Sequence, residues 1–580
     1  MLERELTEGF RAALTDAVRQ SFGEADLSGV DVAFAPTPSY EVGDLGFGCF
    51  PLAKVLRRSP KEIAERLAEA IVLPAPFREA RTAGPYLNVF LDRGAFLERL
   101  CREVEAAGEG YGRAEETMEA RIALEFSAPN TNKPQHLGHI RNNLVGMALA
   151  GILEAAGHDV VKVNLINDRG IHICKSMLAY QRWGEGQTPE SAGTKGDHFV
   201  GDWYVRFARE AQADPSLNDQ AQDMLRRWEE GDPETVELWR TMNQWVYAGF
   251  EETYRRLGVT FDRVYHESET YTHGRAIVLD ALERGLCTRL DDGAVVVHLS
   301  DYGIDKPKIL LRRDGTSVYM TQDLGTAVRR VEELGPDRLY YVVGSEQKYH
   351  FQVLFAILAK LGYPWAEGCR HISYGMVYLP EGKMKSREGK VVDADDLLDE
   401  LEAMATDAVR EKHPDITDDE LAVRKRQIAL GALKFYLLNV NLDKDINYDP
   451  AASLSFEGDT GPYIQYAHTR ICGILRKAAD RDVPEPDFAQ LTADAELALG
   501  LLLLDYPRAV RDAAAACNPA RLAGHVLDLA RAFASFYHDH PVLQAETPGL
   551  VAARLQLIRA AQAVLANGLG LLGIEAPEKM

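Results

Sequence analysis

Residues 127–139 read SAPNTNKPQHLGH and lie at the junction of two elements that the sequence predicts. They follow an apolar run typical of a strand, 121–126, and precede a segment with the apolar spacing of a helix, 140–156. A helix N-terminus presents unpaired N–H groups and the positive end of a dipole, so this junction suits the phosphates of a nucleotide. The two histidines can donate hydrogen bonds to phosphate oxygens, and the glycine between them allows a close approach to the backbone.

A second candidate phosphate-binding segment, 382–390, reads GKMKSREGK and follows a strand-like run at 372–379. Its four cations lie within eight residues, 383–390. A cationic loop suits a pyrophosphate leaving group, whose charge grows in the transition state. A charge run alone more often indicates a solvated turn, so this interpretation depends on the histidine motif elsewhere in the chain.

Length and composition limit the classes of protein. At 580 residues, we expect about three to four domains. No apolar run reaches the length of a transmembrane helix, and the polar N-terminus is not typical of a signal peptide. The seven cysteines form no Cys-x-x-Cys pair, so neither a disulfide framework nor a metal site is predicted, and we expect a cytoplasmic protein.

The net charge of −23 argues against a nucleic-acid partner, because phosphate binding needs a basic surface. Local basic clusters nevertheless occur, at 312–313, 329–330, 424–426 and 470–477. These clusters would allow one basic face on an otherwise acidic protein.

The pattern along the chain predicts a multidomain α/β plus all-α protein. Residues 1–115 predict a small N-terminal α/β module. In 116–450, strands alternate with helices, which predicts a Rossmann-type, doubly wound parallel sheet, interrupted by a helical insertion at about 183–256. Residues 451–580 predict a helical bundle. Such a sheet binds ligands beyond the carboxyl ends of its strands, where the histidine motif would lie.

The histidine motif and the cationic loop together resemble the two signatures of class I aminoacyl-tRNA synthetases. Other segments resemble the arginyl-tRNA synthetase family, and these matches extend over 120–580. They are EFSAPN at 125–130, YMTQD at 319–323, YVVGSEQ at 341–347, GPYIQYA at 461–467 and PEKM at 577–580. The N-terminal module is compatible with that family's tRNA-elbow-binding domain, and the terminal bundle resembles its anticodon-binding domain.

This resemblance implies ATP-dependent ligation of L-arginine to its cognate tRNA through an arginyl-adenylate, with release of AMP and pyrophosphate. The implied partners are tRNA(Arg), L-arginine and ATP, with ATP acting as a substrate together with Mg²⁺. We expect no tightly bound cofactor, no membrane association and a monomer.

The resemblance also implies roles for individual residues. The histidines would hold phosphates, the loop lysines would stabilise pyrophosphate, and backbone groups of residues 376 and 377 would meet the adenine. The expected catalytic residues are His136, His139, Lys133 and Lys383. The expected ATP-binding residues are His136, Gly138, His139, His350, Met376, Val377, Lys383 and Lys385.

Arginine recognition can also be argued from chemistry. A guanidinium offers five donors in a planar fork, so it favours carboxylates and planar partners. Asp323 and Glu267 are the chosen acids, with Tyr319 beside the guanidinium, although each could instead be a surface carboxylate or a core aromatic. The full set expected to bind arginine is Glu125, Ser127, Asn130, Glu267, Tyr319, Asp323 and Gln347.

Two departures from the family pattern are informative. Ser386 stands where the cationic loop usually has its second lysine, and Lys133, just before the histidine motif, is expected to replace it. Arg169 and His172 stand in the turn 168–172 where the family often has Trp and Gln, which puts local contacts there in doubt.

Three alternatives stay open. A class I synthetase for another amino acid would share both signatures, although a cysteine enzyme is disfavoured because no zinc ligand set is visible. Small adenylyltransferases share the histidine motif but lack the helical C-terminal domain. A tRNA-binding paralogue without catalysis is disfavoured because both histidines, Lys133 and Lys383 are present.

Overall fold

The computed structural model describes residues 2–115, 117, 120–379 and 392–580. The first part is a small module with a four-stranded antiparallel sheet, whose strands follow the order first, second, fourth, third. Its elements are α1 (Leu2–Phe22), β1 (Ala35–Pro36), β2 (Leu45–Gly48), α2 (Phe50–Leu56), α3 (Pro60–Ala70), β3 (Phe77–Ala83), β4 (Tyr86–Leu91) and α4 (Arg93–Ala107), followed by a 3-10 turn at Gly108–Gly110.

The central part is built on a parallel five-stranded sheet and carries most of the helices. Its first half contains β5 (Arg121–Glu125), α5 (Leu137–Ala155), β6 (Asp159–Ile166), α6 (Ile171–Trp183), α7 (Pro189–Ala192), α8 (Gly196–Ala213), α9 (Ser216–Glu229), α10 (Pro233–Leu257), β7 (Arg263–His266), α11 (Glu267–Thr270) and α12 (His273–Glu283). Its second half contains β8 (Thr288–Arg289), β9 (Val295–Leu299), β10 (Ile304–Leu311), α13 (Tyr319–Leu334), β11 (Arg338–Gly344), α14 (Lys348–Lys360), β12 (Cys369–Tyr374), β13 (Val377–Tyr378), α15 (Ala394–Lys412), α16 (Asp418–Leu438), β14 (Ile446–Asn447) and α17 (Pro450–Ser453). Short 3-10 turns lie at Ser300–Tyr302, Ser345–Gln347 and Pro364–Gly368.

The order of the main sheet is β12-β11-β5-β6-β7, and every neighbouring pair is parallel. The chain runs outward from β5 to β7 and then returns to β11 on the other side of β5. The strand order therefore reverses beside β5, the position where open parallel sheets bind ligands. This confirms the predicted doubly wound fold and places the histidine motif at the carboxyl edge of β5.

Both faces of this sheet are covered, as expected for parallel strands. Alternate residues of β11 enter separate cores. Tyr340 and Val342 join the core that includes α5, and Leu339 and Tyr341 join the core that includes α13 and α14. Because both faces are apolar, the strands appear in the sequence as continuous apolar runs.

The structure corrects the predicted strand at 372–379. The strand β12 ends at Tyr374, and β13 pairs instead with β14, outside the main sheet. Gly375 lies at the change of direction, where a Cβ would stand 2.6 Å from Lys444 O. The chain bends there because only glycine permits this approach.

A three-stranded antiparallel sheet, in the order β10-β9-β8, is not predicted by the sequence pattern. The strand β8 has only two residues, and β10 contains lysines and a proline that interrupt apolar alternation. This sheet precedes α13, so it helps to place the N-terminus of that helix.

The C-terminal part is a helical bundle, as predicted. Its helices are α18 (Gly461–Ala478), α19 (Asp494–Ala516), α20 (Pro519–Asp539) and α21 (Pro548–Leu571), with a 3-10 turn at Phe488–Gln490. The side chain of Thr460 caps α18 by accepting from the backbone N–H of Tyr463 at 3.2 Å. By length and composition α21 could cross a membrane, but 61% of its apolar window is buried, as in the core helix of a bundle.

Candidate active site

The loop between β5 and α5 turns sharply at two residues other than glycine. Ser127 and Ala128 have φ angles of 80° and 49°. Two buried amides hold this strained backbone: Asn142 Oδ1 accepts from Ser127 N at 2.5 Å, and Asn164 Oδ1 accepts from Ala128 N at 3.1 Å. Strained backbone that is fixed in this way is typical of functional sites.

The histidine motif caps the N-terminus of α5 with its own side chains. His136 Nδ1 accepts from Gly138 N at 3.1 Å, and His139 Nδ1 accepts from His136 N at 3.1 Å. The two ring centroids are 3.9 Å apart. Because Nδ1 is the acceptor in each neutral ring, Nε2 carries the proton and is left as a hydrogen-bond donor.

Both imidazoles are neutral at pH 7. Burial, together with the charge of Lys133, lowers the pKa of His136 to about 4 and lowers that of His139 well below its ordinary value. The histidines therefore act toward phosphate as neutral donors. Positive charge at this helix terminus comes from Lys133, which is half-buried and whose own pKa is lowered by burial.

Gly138 has no side chain, and the His136 ring occupies the space that a side chain there would need. A Cβ at this position would lie 3.0 Å from Cε1 and 3.1 Å from Nδ1 of His136. We expect Gly138→Ala to displace the ring and slow adenylate formation about tenfold, the rate equivalent of one hydrogen bond of about 1.4 kcal/mol. Single-turnover kinetics measure this rate. Gly473→Ala on α18 is the matched control, since its Cβ would meet little, and a Gly138→Ala rate within twofold of wild type would contradict the role of the ring.

The segment that follows the cationic loop lies against the histidine motif. Leu137 N donates to Val392 O, and Ala394 N donates to Gln135 O, each at 3.0 Å. The side chain of Asp393 then caps α15. Lys383 and Lys385 lie outside the described residues, so their expected roles stay predictions.

An ion-pair cluster joins the helical insertion to α15. Lys195 Nζ lies 2.6 Å from Asp395 Oδ2 and 3.2 Å from Asp197 Oδ2. A hydrogen bond to Asp395 raises the pKa of His198 to about 9. Asp197, His198 and Asp395 have the spacing of metal ligands, with ligand atoms within 4.8 Å of one another. Since the Lys195 ammonium already lies among these carboxylates, the cluster is interpreted as ion pairs.

A cavity of about 1420 Å³ lies beyond the carboxyl ends of β6 and β7. Five of the residues predicted from the sequence line it together, although they come from three separate parts of the chain. They are Asn130, Lys133, Glu267, Tyr319 and Asp323. His172, from the turn that departs from the family pattern, also lines this cavity.

The cavity contains two carboxylates and an exposed ring. Burial raises the pKa of Glu267 to about 7, and the charge of Arg169 opposes this shift. Asp323 lies on α13 one helical turn after Tyr319, whose side chain is 74% exposed. His350 Nε2 is 2.5 Å from Asp323 Oδ2. The structure therefore places His350 beside a predicted arginine-binding residue, although it was expected near the nucleotide.

Other predicted site residues lie behind or beside the cavity. Glu125 is buried and forms an ion pair with Arg330, which is itself 2% exposed. Ser127 Oγ is 2.7 Å from the Tyr254 hydroxyl. Gln347 is exposed at the start of α14. None of these three predicted residues is among the described residues that line the cavity.

The two residues expected to meet adenine differ in their backbone hydrogen bonds. Met376 N donates to Asp445 Oδ1 at 2.7 Å, and Met376 O accepts from Ile446 N at 2.8 Å. Tyr378 O accepts from Tyr448 N in the same ladder. Because backbone groups alternate along a strand, those of Val377 face the edge opposite β14.

Sequence reasoning missed Asp168 as a residue that supports the site. Its carboxylate accepts from Ser268 N at 2.9 Å, from Ser268 Oγ at 2.7 Å and from the Tyr247 hydroxyl at 2.9 Å. These bonds fix the turn that carries Glu267. The only signal in the sequence was an acidic residue in the turn 168–172, which follows the predicted strand 160–165.

Comparison with protein families covers nearly the whole chain. The family model described as "tRNA synthetases class I (R), catalytic domain" matches residues 105–449. The "DALR anticodon binding domain" matches 464–580, and the "Arginyl tRNA synthetase N terminal domain" matches 4–91.

Individual relatives agree with these matches. The chain is 43% identical over 590 residues to an arginine–tRNA ligase of Treponema pallidum, and 42% identical over 603 residues to that of Parabacteroides distasonis, with 100% of each chain covered. Among solved structures, arginyl-tRNA synthetase of Thermus thermophilus matches with a TM-score of 0.80 at 31% identity, again over 100% of both chains. The protein therefore belongs to the arginyl-tRNA synthetase family of class I aminoacyl-tRNA synthetases.

Proposed function

We propose that this chain ligates L-arginine to tRNA(Arg) in two steps and that the cavity described above is its arginine site. One observation carries this assignment: Asn130, Glu267, Tyr319 and Asp323 converge on one cavity from distant parts of the chain. Two carboxylates and an aromatic ring suit a planar cation with five donors. Asn130, in the loop between β5 and α5, would bind the polar backbone end of the amino acid.

Class I synthetases use ATP, and the N-terminus of α5 is the proposed site for its phosphates. His136 and His139 would donate from Nε2 to phosphate oxygens, with Gly138 under the nucleotide. The backbone of Val377 would meet the adenine, whereas Met376 would contribute by fixing the strand. Lys383 and Lys385 are proposed from the family pattern to act on pyrophosphate. ATP would enter as its Mg²⁺ complex.

In the first step, a carboxylate oxygen of arginine attacks the α-phosphorus, and the bond to pyrophosphate breaks. Lys133 lines the cavity and its charge acts on both histidines, which supports a position between the proposed amino acid and phosphate sites. In the second step, the terminal ribose hydroxyl of tRNA attacks the arginyl carbonyl carbon, and AMP leaves.

The C-terminal bundle is the proposed anticodon-binding surface. Arg470 lies over the rings of Tyr466 and Tyr537, at 4.9 and 5.2 Å from their centroids. Cations interleaved with aromatic rings suit stacked nucleotide bases. This surface would supply local basic character in a protein of net charge −23. We propose a cytoplasmic monomer.

Charging of total tRNA with labelled arginine tests this proposal, with labelled glutamate and cysteine in parallel reactions. We expect arginyl-tRNA alone to form, with one AMP released per molecule charged. A non-catalytic tRNA-binding paralogue would instead retain tRNA on a filter without AMP release, and that result would refute the proposal.

A further inference from the structure

Arg169 is an internal guanidinium fixed at the wall of the proposed arginine site. Its Cζ lies 4.0 Å from the ring centroid of Tyr271 and 5.6 Å from that of Trp228. Its Nη2 lies 2.7 Å from Glu229 Oε1, at the end of α9, and the side chain is only 9% exposed. Planar contacts and an ion pair thus hold one cation in place from the side of the helical insertion.

The same guanidinium is connected to the proposed arginine-binding carboxylate. Arg169 Nη1 lies 4.0 Å from Glu267 Oε1. The amide of Gln322 satisfies both neighbours in one orientation: its oxygen accepts from Arg169 Nη1 at 3.1 Å and its nitrogen donates to Glu267 Oε1 at 3.2 Å. Gln322 directly precedes Asp323, so this chain of contacts reaches both acids of the cavity.

We propose that Arg169 is a positioning residue for arginine selection, which orients Glu267 toward the cavity through Gln322 and is itself anchored to the insertion by Glu229. This inference rests on the proposed role of Glu267 in binding arginine. It gives a function to the departure at position 169, where the family often has tryptophan. A flat ring there could stack on Tyr271 but could not supply a charge or two directed donors.

The charges around Glu267 predict how the arginine KM depends on pH. Burial raises the pKa of this carboxyl to about 7, Arg169 opposes the shift, and Asp168 and Asp323 add to it. Glu229 lies on the far side of Arg169. Only the ionised carboxylate pairs with a substrate guanidinium, so the arginine KM should fall as pH rises through this pKa. Loss of Arg169 would raise the pKa and move the fall to higher pH.

The test is the arginine and ATP KM of the full-length enzyme, measured from pH 6 to 9 in aminoacylation assays. For Arg169→Gln we expect the arginine KM at pH 7 to rise about tenfold, the ATP KM to stay within twofold, and the fall in arginine KM to shift to higher pH. Arg169→Lys should restore the wild-type pH profile, since the positive charge returns. It should reverse only part of the rise in arginine KM. Arg226→Gln is the matched control. Arg226 forms an exposed ion pair with Asp223 on α9, the helix that also carries Glu229, and we expect this variant to have wild-type constants.

Glu229→Gln guards against loss of folding in the Arg169 variants, because this carboxylate is 46% exposed. We expect it to raise the arginine KM in the same direction by about threefold, and the double variant with Arg169→Gln to be no worse than Arg169→Gln alone. An arginine KM and pH profile unchanged in both Arg169→Gln and Glu229→Gln would overturn the inference. In that case Glu267→Gln distinguishes failure of the Arg169 role from failure of the proposed arginine pocket. If Glu267→Gln also leaves the arginine KM unchanged, the proposed pocket is wrong as well. If it raises the arginine KM, the pocket stands and only the role of Arg169 is wrong.

Discussion

Replacement of Asp323 by asparagine should raise the arginine KM roughly tenfold to 150-fold and leave the ATP KM nearly unchanged. A charge-assisted hydrogen bond to a guanidinium contributes about 1.5–3 kcal/mol, and asparagine keeps the shape while removing the charge. Asp323 lines the cavity with Tyr319 on the same helix face, and Glu267 lines the same cavity. Steady-state aminoacylation at saturating ATP and tRNA measures the effect.

Asp301→Asn is the matched control for this substitution. Its carboxylate is 80% exposed and lies 4.0 Å from Lys360, remote from the cavity lining. We expect wild-type constants for it. If Asp323→Asn raised the ATP KM as much as the arginine KM, the assignment of this residue to the amino acid would be wrong.

Replacement of Lys133 by alanine should slow arginine activation by about 10²-fold or more while the arginine KM barely changes. Lysine offers a mobile point charge that can follow the phosphates as charge shifts toward pyrophosphate. A contact made mainly in the transition state affects kcat more than KM, and loss of one electrostatic stabiliser typically has this magnitude. The half-buried position of Lys133 at the cavity wall fits this role better than that of a solvated lysine.

Stopped-flow measurement of adenylate formation, with tRNA present and folding checked by circular dichroism, tests this prediction. Lys360→Ala is a suitable control, because this lysine ends α14 away from the cavity. A Lys133→Ala rate within threefold of wild type would end the idea that Lys133 replaces the missing loop lysine at Ser386.

Much of the fold could be predicted from the sequence because its parallel strands are buried on both faces. The strands β5, β6 and β11 appear as short apolar runs, and turn residues and helical patterns follow them. The bend at Gly375 could not be predicted, since it depends on the approach of Lys444 from a distant segment. The sheet that contains β8 was not predicted, because a strand of two residues is too short to show an alternation of apolar and polar residues.

Some residues of the candidate site could likewise be predicted from the sequence, and others could not. Asn130, Tyr319 and Asp323 stand in local motifs, so the amino-acid sequence is sufficient to select them. The contacts of Arg169 with Glu229 and Gln322 could not be predicted, because they depend on how the helical insertion folds back onto the sheet. Nothing in the local spacing around position 169 indicates which helix supplies its partner.

The most direct test of the central claim is amino-acid-dependent pyrophosphate exchange, measured for each standard amino acid with tRNA present. We expect exchange of label from pyrophosphate into ATP with arginine and with no other amino acid. By family resemblance, this exchange should also disappear when tRNA is left out. Exchange driven by a different amino acid, or no exchange with arginine by folded protein that binds tRNA, would contradict the account.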